Sequence, residues 1–266
     1  MHIPTFALIV TAAGSSLRFS SSYENGECVK KEFLHLDGHS VLYRATEPFF
    51  EIPSLQCVVV TYKDDSLDET IVALEDLIDI NTIPMFFVKG GNSRQESVLN
   101  GLTKLKEMNI SFDYVAIQDG ARPYVTPKLI INVLATAFNS SGAVPALPVT
   151  DSIRRIDKTG AIIECPSRNG LIRVQTPQFF EFDKLLSAYQ SQDIKYATDD
   201  SEIYVKAGFT CHVCEGDESN IKITYEHDIP DARNQIERYI EDRRKGRASR
   251  EANETFRRLL NQREED

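Results

Sequence analysis

The chain has 266 residues, 41% of them hydrophobic and 26% charged, which is the composition of an ordinary globular protein with room for a full core. Its formal net charge of −10 argues against nucleic acid as a partner, because polyanions bind to basic surfaces. No apolar run approaches the ~20 residues that span a bilayer and no signal peptide precedes the first strand, so we expect a cytoplasmic protein without a membrane partner.

Apolar runs alternate with amphipathic stretches along the first half of the chain. Several runs are apolar at nearly every position, which is typical of parallel strands covered on both faces. Strands are predicted at 6–10, 56–61, 85–89, 114–117 and 143–149, and helices at about 40–50, 64–80, 94–108 and 126–139. The last helix has the clearest start, with Thr126 as N-cap and Pro127 in its first turn. The alternation predicts an α/β fold with a doubly wound, mostly parallel, Rossmann-like sheet.

The second half of the chain has a different organisation. Residues 151–175 contain two short β-prone pieces, 153–156 and 161–163, which predict a β-hairpin arm projecting from the sheet. Residues 231–266 are rich in Arg and Glu with amphipathic spacing, which predicts a charged C-terminal helical extension. We therefore expect a single domain over 1–230 and favour a solvated surface helix for the extension.

The segment after the first strand is the most informative one. Small residues occupy 11–16 and Arg18 follows shortly. Small side chains let backbone N–H groups approach an anion closely, so such a loop is suited to phosphate. No Gly-Lys-Ser/Thr sequence follows, which disfavours an ATPase of the P-loop class. On spacing alone, an ordinary strand-to-helix turn explains the loop equally well.

Two further motifs, Gly90-Gly91 and Asp119, each follow a predicted strand directly. Ligands of doubly wound sheets bind at the carboxyl ends of the strands, so one crevice can collect the phosphate loop and both motifs. A carboxylate beside phosphates needs a partner. For Asp119 that partner is Mg²⁺, a substrate hydroxyl or the nearby Arg122.

Seven motifs occur in the order and approximate spacing of one family. Over about residues 5–230 the sequence resembles the 2-C-methyl-D-erythritol 4-phosphate cytidylyltransferases of the non-mevalonate isoprenoid pathway. The resemblance implies a nucleotidyltransferase fold, a homodimer formed through the arm, and transfer of a cytidylyl group from CTP to the sugar phosphate with release of pyrophosphate. The motifs lie at 90–98, 118–123, 151–152, 167–171, 176–180, 197–200 and 220–224.

The same resemblance implies roles for individual residues. The residues implied to be catalytic are Arg18, Lys31 and Lys222. Those implied to bind CTP are Ala12, Ala13, Gly14, Ser15, Ser16, Gly91, Asn92, Ser97 and Asp119. Those implied to bind the sugar phosphate are Asp119, Arg122, Ser152, Arg168, Thr176 and Lys222, with Ser152 and Arg168 reaching across from a partner subunit. Asp119 is also the candidate ligand of a Mg²⁺ cofactor, directly or through water.

The chain departs from the family pattern near the phosphate loop. Ser16 stands where glycine is common, Lys30 where proline is usual and Glu32 where glutamine is common, and the loop at 20–28 is longer than usual. Two alternative functions stay open. Relatives that use ribitol 5-phosphate share the phosphate loop and the cations, and a catalytically silent nucleotide-binding relative would keep the fold.

Overall fold

The computed structural model of the chain describes residues 4–16, 19, 30–191, 193 and 195–229. The predicted extension at 231–266 and the lengthened loop at 20–28 lie outside these residues. The strands are β1 (Phe6–Thr11), β2 (His35–Leu36), β3 (His39–Ser40), β4 (Leu55–Tyr62), β5 (Met85–Lys89), β6 (Tyr114–Asp119), β7 (Gly142–Pro148), β8 (Arg155–Ile156), β9 (Ile162–Glu164), β10 (Ile172–Val174), β11 (Gln178–Glu181) and β12 (His212–Glu215). The α-helices are α1 (Val41–Thr46), α2 (Leu67–Val72), α3 (Glu75–Ile80), α4 (Arg94–Glu107), α5 (Pro127–Ser140), α6 (Phe182–Ser191) and α7 (Asp200–Lys206).

Eight strands form the central sheet, in the order β10-β7-β11-β6-β1-β4-β5, with β12 paired to β7. The pairs that link β5, β4, β1 and β6 are all parallel. β11 runs antiparallel to both β6 and β7, and β10 runs antiparallel to the end of β7. The predicted α/β fold with a mostly parallel sheet is confirmed, and all five predicted strands are present.

Strand β1 shows why the central strands are apolar throughout. Leu8 and Val10 belong to one buried layer of side chains, whereas Ala7 and Ile9 belong to a second layer. Because both faces of the strand are covered, none of these side chains contacts solvent.

Two helix predictions have different outcomes. The Thr126 hydroxyl accepts a hydrogen bond from the Leu129 N–H, so the predicted cap of α5 is confirmed. The single helix predicted at 64–80 is wrong, since the chain leaves helical geometry at Leu74 (φ −121°, ψ 5°) and forms α2 and α3 instead. Leu74 at the break and Leu77 in α3 are both buried in the core.

The segment predicted as an arm forms a separate two-stranded ladder. Arg155 pairs with Glu164 and Ile156 with Ile162. Nearly every residue from 150 to 173 is exposed. Within the range predicted for the arm, Ile172–Val174 belong to the main sheet as β10, which pairs with β7.

Within the described residues, no helix is long and apolar enough to cross a membrane.

Candidate active site

A cavity of about 960 Å³ lies where the carboxyl ends of β1, β4, β5 and β6 meet. Its walls include the phosphate loop, the Gly90-Gly91 turn and the end of β6, as the sequence pattern predicts. The predicted site residues that line it are Ala13, Gly14, Ser15, Ser16, Lys31, Gly91, Asn92, Ser97, Asp119 and Lys222.

The remaining predicted residues lie elsewhere. Ala12 and Thr176 are buried outside the cavity lining, and the Thr176 hydroxyl accepts a hydrogen bond from the Asp119 N–H at 3.1 Å. Ser152 and Arg168 lie on the exposed segment at 150–173, where Arg168 donates a hydrogen bond to the Thr150 carbonyl. Arg18 lies outside the described residues. The roles of all these residues stay predictions.

The phosphate loop is held in shape by a buried carboxyl group. Ser16 adopts a left-handed backbone conformation (φ 50°), and its hydroxyl donates a hydrogen bond to Glu32 Oε2 at 2.9 Å. Glu32 is 4% exposed and lines the cavity. Burial raises the pKa of this carboxyl, opposed mainly by the charge of Lys31.

The Gly90-Gly91 turn packs against the phosphate loop without space for side chains. A Cβ on Gly90 would lie 2.3 Å from the Ala13 Cβ and 2.8 Å from Ser97 Oγ. The Gly91 N–H donates to that same Ser97 hydroxyl at 3.1 Å. Ser97, in the first turn of α4, therefore fixes the Gly90-Gly91 turn by this hydrogen bond. Glycine is required at position 90 because Ala13 and Ser97 approach it too closely for a side chain.

Asp119 is the electrostatic centre of the site, since three cations surround its carboxylate. Its Oδ2 lies 2.7 Å from Lys222 Nζ and 3.7 Å from Arg122 Nε, while its Oδ1 accepts a hydrogen bond from Arg94 Nε at 3.0 Å. Burial alone would raise the pKa of Asp119, but the charges of Lys222, Arg94 and Arg122 together hold it well below its usual range. Asp119 is thus an ionised acceptor at the end of β6.

Arg94 joins this centre to a second buried carboxylate. Its Nη2 donates to Asp200 Oδ2 at 2.7 Å, and the Tyr189 hydroxyl donates to the other oxygen of Asp200. Burial alone would lower the pKa of Arg94, but Asp200 and Asp119 raise it well above its usual range. The sequence motifs alone predict no role for Arg94. The only available signal was its place in a motif, since its partner Asp200 lies 106 positions away.

Lys31 and Lys222 both line the cavity, and the segment at 221–224 connects them: Lys222 belongs to this segment, and Lys31 is hydrogen-bonded to it. Lys31 Nζ donates to the carbonyl oxygen of Ile223 at 2.8 Å. The segment at 221–224 has no strand pairing, although the Ile223 N–H donates to the Ala121 carbonyl. The buried Ile223 anchors the segment while Lys222 reaches the cavity.

The cavity is locally basic although the chain is acidic. Among the described residues that line it, five are cations and three are acids, so this lining carries an excess of positive charge, whereas the chain has a net charge of −10. Such an excess favours a polyanionic ligand. The cations are Lys31, Lys63, Lys89, Arg94 and Lys222, and the acids are Glu32, Asp64 and Asp119.

Comparison with known proteins gives a consistent result. A family model described as IspD, 2-C-methyl-D-erythritol 4-phosphate cytidylyltransferase, matches residues 6–238. The cytidylyltransferase of that name from Caldanaerobacter subterraneus is 33% identical over 225 residues, covering 83% of this chain and 94% of the relative. A bifunctional enzyme IspD/IspF from Rhodopseudomonas palustris is 37% identical over 229 residues, 85% of this chain. The chain spans about half the length of such bifunctional relatives, 54% in this case.

Solved structures give the same fold. The crystal structure of 4-diphosphocytidyl-2C-methyl-D-erythritol synthase from Anaerococcus prevotii superposes with a TM-score of 0.70 at 23% identity, covering 88% of this chain and 99% of that one. The bifunctional IspDF from Campylobacter jejuni gives a TM-score of 0.66 at 26% identity, covering 85% of this chain and 54% of that one.

Because Arg94 pairs with both Asp119 and Asp200, its replacement should destabilise the fold strongly. We expect Arg94→Met to lower the free energy of unfolding at pH 7 by ~3–5 kcal/mol, because two buried carboxylates lose their shared cation. Lys104→Met on the same helix is the control, since its ion pair with Glu107 spans 4.0 Å and is exposed. Urea denaturation measures both, and the control should change by less than ~1 kcal/mol.

The difference between Arg94→Met and wild type should also depend on pH. The depressed pKa of Asp119 gives a stabilisation that is present above the unfolded-state value of ~3.9 and is lost as the pH falls through the folded-state value. In the variant, Asp119 keeps Lys222 and Arg122 but loses Arg94, so its folded-state pKa should lie above that of the wild type. Because the unfolded state is common to both proteins, the gap in free energy of unfolding should narrow as the pH falls through the folded-state pKa of Asp119 in the variant. An NMR titration that gives the same pKa for Asp119 in both proteins would contradict this reading of Arg94.

Proposed function

The chain belongs to the IspD family of 2-C-methyl-D-erythritol 4-phosphate cytidylyltransferases, and on that premise we propose that it transfers a cytidylyl group from CTP to 2-C-methyl-D-erythritol 4-phosphate. The products are 4-diphosphocytidyl-2-C-methyl-D-erythritol and pyrophosphate, as required for isoprenoid precursor synthesis. The observation that carries the proposal is the basic cavity at the carboxyl edge of the sheet, which gathers the phosphate loop, Lys31, Lys222 and Asp119.

The reaction needs charge stabilisation more than a general base. A phosphate oxygen of the acceptor attacks the α-phosphorus of CTP, a new P–O bond forms, and the bond to the β-phosphate breaks as pyrophosphate leaves. The attacking phosphate is already ionised near neutral pH. Negative charge gathers on the α-phosphate and the leaving group, where cations and backbone N–H groups are most effective.

Lys31 and Lys222 supply that charge in this proposal. Lys31 is 8% exposed and fixed by the Ile223 carbonyl, so its ammonium is oriented before a ligand arrives. Lys222 is 34% exposed in its side chain and pairs with Asp119, so it has room to turn toward phosphates. Arg18 is proposed as a third cation.

Base recognition is proposed for the turn formed by Gly91, Asn92 and Ser97. Gly91 and Asn92 line the cavity just after the carboxyl end of β5, and Ser97 lines it from the first turn of α4. The hydrogen bond from the Gly91 N–H to Ser97 Oγ keeps the turn rigid. A rigid set of donors and acceptors is what discrimination between bases requires.

Asp119 fits a Mg²⁺ ion that is shared with the triphosphate. Its carboxylate is ionised and lines the cavity, and its partner Lys222 is exposed enough to leave. Mg²⁺ takes few protein carboxylates and prefers substrate phosphates, so one aspartate is sufficient. When bound, the ion supplies charge neutralisation at the phosphates. Among the described residues, no cluster of three or more His, Cys, Asp or Glu has metal-binding geometry.

A homodimer through the exposed segment at 150–173 is also part of the proposal, as is the cytoplasmic location. Isoleucines at 153, 156, 162 and 163 are between 37% and 61% exposed, which is unusual for a hairpin that stays in solvent. A second copy that covers them would bring Ser152 and Arg168 to the neighbouring cavity, where they would bind the sugar phosphate. Arg122 and Thr176 lie outside the lining of that cavity and contact Asp119 instead.

The acceptor assay tests the proposal most directly. With CTP and Mg²⁺, pyrophosphate release should show a clear preference in kcat/KM for 2-C-methyl-D-erythritol 4-phosphate over ribitol 5-phosphate. A preference for ribitol 5-phosphate would overturn the acceptor and keep the reaction class. Absence of pyrophosphate release with either acceptor would indicate the catalytically silent relative.

Lys31→Ala should lower kcat in this assay by ~10²-fold or more with a much smaller change in the KM for CTP, because its charge is matched to the transition state. Lys30→Ala is the matched control, since Lys30 pairs with Asp65 at 3.0 Å outside the cavity lining. Near-normal turnover by Lys31→Ala would reject its catalytic role.

Mixed dimers test the cross-subunit site. Lys31→Ala and Arg168→Ala chains should each be poorly active alone. After subunit exchange some activity should return, because in the mixed dimer one cavity combines an intact Lys31 with an intact Arg168 from the other chain. Exchange demonstrated by mass spectrometry without any recovery would contradict the shared site.

A further inference from the structure

Glu32 is an acidic group in a cavity that otherwise suits anions. It stands beside Lys31 in the short 3-10 helical turn Lys31–Phe33 and is almost completely buried. Its Oε2 accepts the hydrogen bond from Ser16, and its Oε1 lies 3.7 Å from the position that a Cβ on Gly14 would occupy. The carboxyl group of Glu32 therefore packs against the phosphate loop and holds the Ser16 hydroxyl.

An ionised Glu32 would conflict with the ligand that the loop is built to hold. The amides of 13–16 and the carboxyl share the same small region, so a triphosphate bound to the loop lies close to Glu32. Two negative groups that share a site with little water cannot both stay fully charged at low cost, and the group that can accept a proton does so. A neutral carboxyl still accepts the Ser16 hydrogen bond and gains an O–H donor.

We infer that Glu32 is a positioning residue that holds the phosphate loop in its protonated form when a nucleoside triphosphate is bound, so that CTP binding takes up a proton. The inference rests on the proposed function, because it requires a triphosphate in this cavity.

The charges around Glu32 explain why CTP binding and protonation of its carboxyl group should be coupled. Lys31 faces it from its own turn and Lys222 from the segment at 221–224, and both favour its ionised form in the free protein. The described loop residues 12–16 present a hydroxyl and backbone groups but no charge. When a triphosphate engages the two lysines, their support for the carboxylate is shared with the phosphates. Binding therefore moves the pKa of Glu32 further in the direction in which burial already moves it.

Calorimetric titration with CTP and Mg²⁺, without acceptor, tests the inference. In buffers of different ionisation enthalpy between pH 5 and 8, the wild-type protein should take up more protons than Glu32→Gln. The Kd of the wild type should rise relative to that of Glu32→Gln by up to about tenfold per pH unit between the two pKa values of Glu32. Titration of the γ-phosphate is common to both proteins and cancels in the comparison.

A purely structural role would not produce this difference, since glutamine keeps an acceptor for Ser16. Equal proton uptake by the two proteins would overturn the inference, and the acceptor assay would still report on the proposed function. Infrared difference spectra of the wild-type protein need no variant: CTP should produce a band of a protonated carboxyl group. Absence of that band in a protein that binds CTP would also overturn the inference.

Discussion

The buried carboxylate of Asp119 is the interaction on which the site depends. It lies at the end of β6 and contacts a cation from each of three surrounding parts of the chain: Arg94 at the start of α4, Arg122 after β6, and Lys222 near the end of the described residues. Through Arg94 the same network reaches Asp200 at the start of α7. Elements far apart in sequence are thereby held at one edge of the sheet, and the cost of burying several charges is offset by their mutual contacts.

This arrangement explains how an acidic chain offers a basic cavity. The cations around Asp119 are only partly neutralised by it, and Lys31 adds a further charge that is fixed by a backbone carbonyl. The glycine turn closes the other side with backbone groups, because side chains do not fit there. The positive charge of the cavity is therefore a property of local geometry and does not follow from the net charge of the chain.

The parts of the fold that the sequence predicts are those with local causes. Strand β1 is recognisable because both its faces are buried, and α5 because Thr126 and Pro127 begin it. The break at Leu74 has no glycine or proline to mark it, and β11 enters the sheet between β6 and β7 only because the chain returns there. Tertiary packing determines both features.

The residues of the site divide in the same way, into those with a local signal in the sequence and those placed by tertiary contacts. Gly91 and Asp119 follow predicted strands directly, and both line one cavity, as that position predicts. The bridging role of Arg94 depends on Asp200, 106 positions away, and the support of Ser16 depends on Glu32, 16 positions away. Such contacts join distant positions, and a single sequence carries no signal for them.

The exposed segment at 150–173 leaves the sheet after β7 and returns through β10, which pairs with the same end of β7, where the Val149 N–H donates to the Leu171 carbonyl. Both of its ends are thus fixed at the carboxyl edge, so changes in its length or composition leave the register of the sheet intact. The proposed nucleotide contacts and the exposed segment consequently belong to different parts of the chain. In the proposed dimer, acceptor preference could evolve in one part while the nucleotide chemistry of the other is kept.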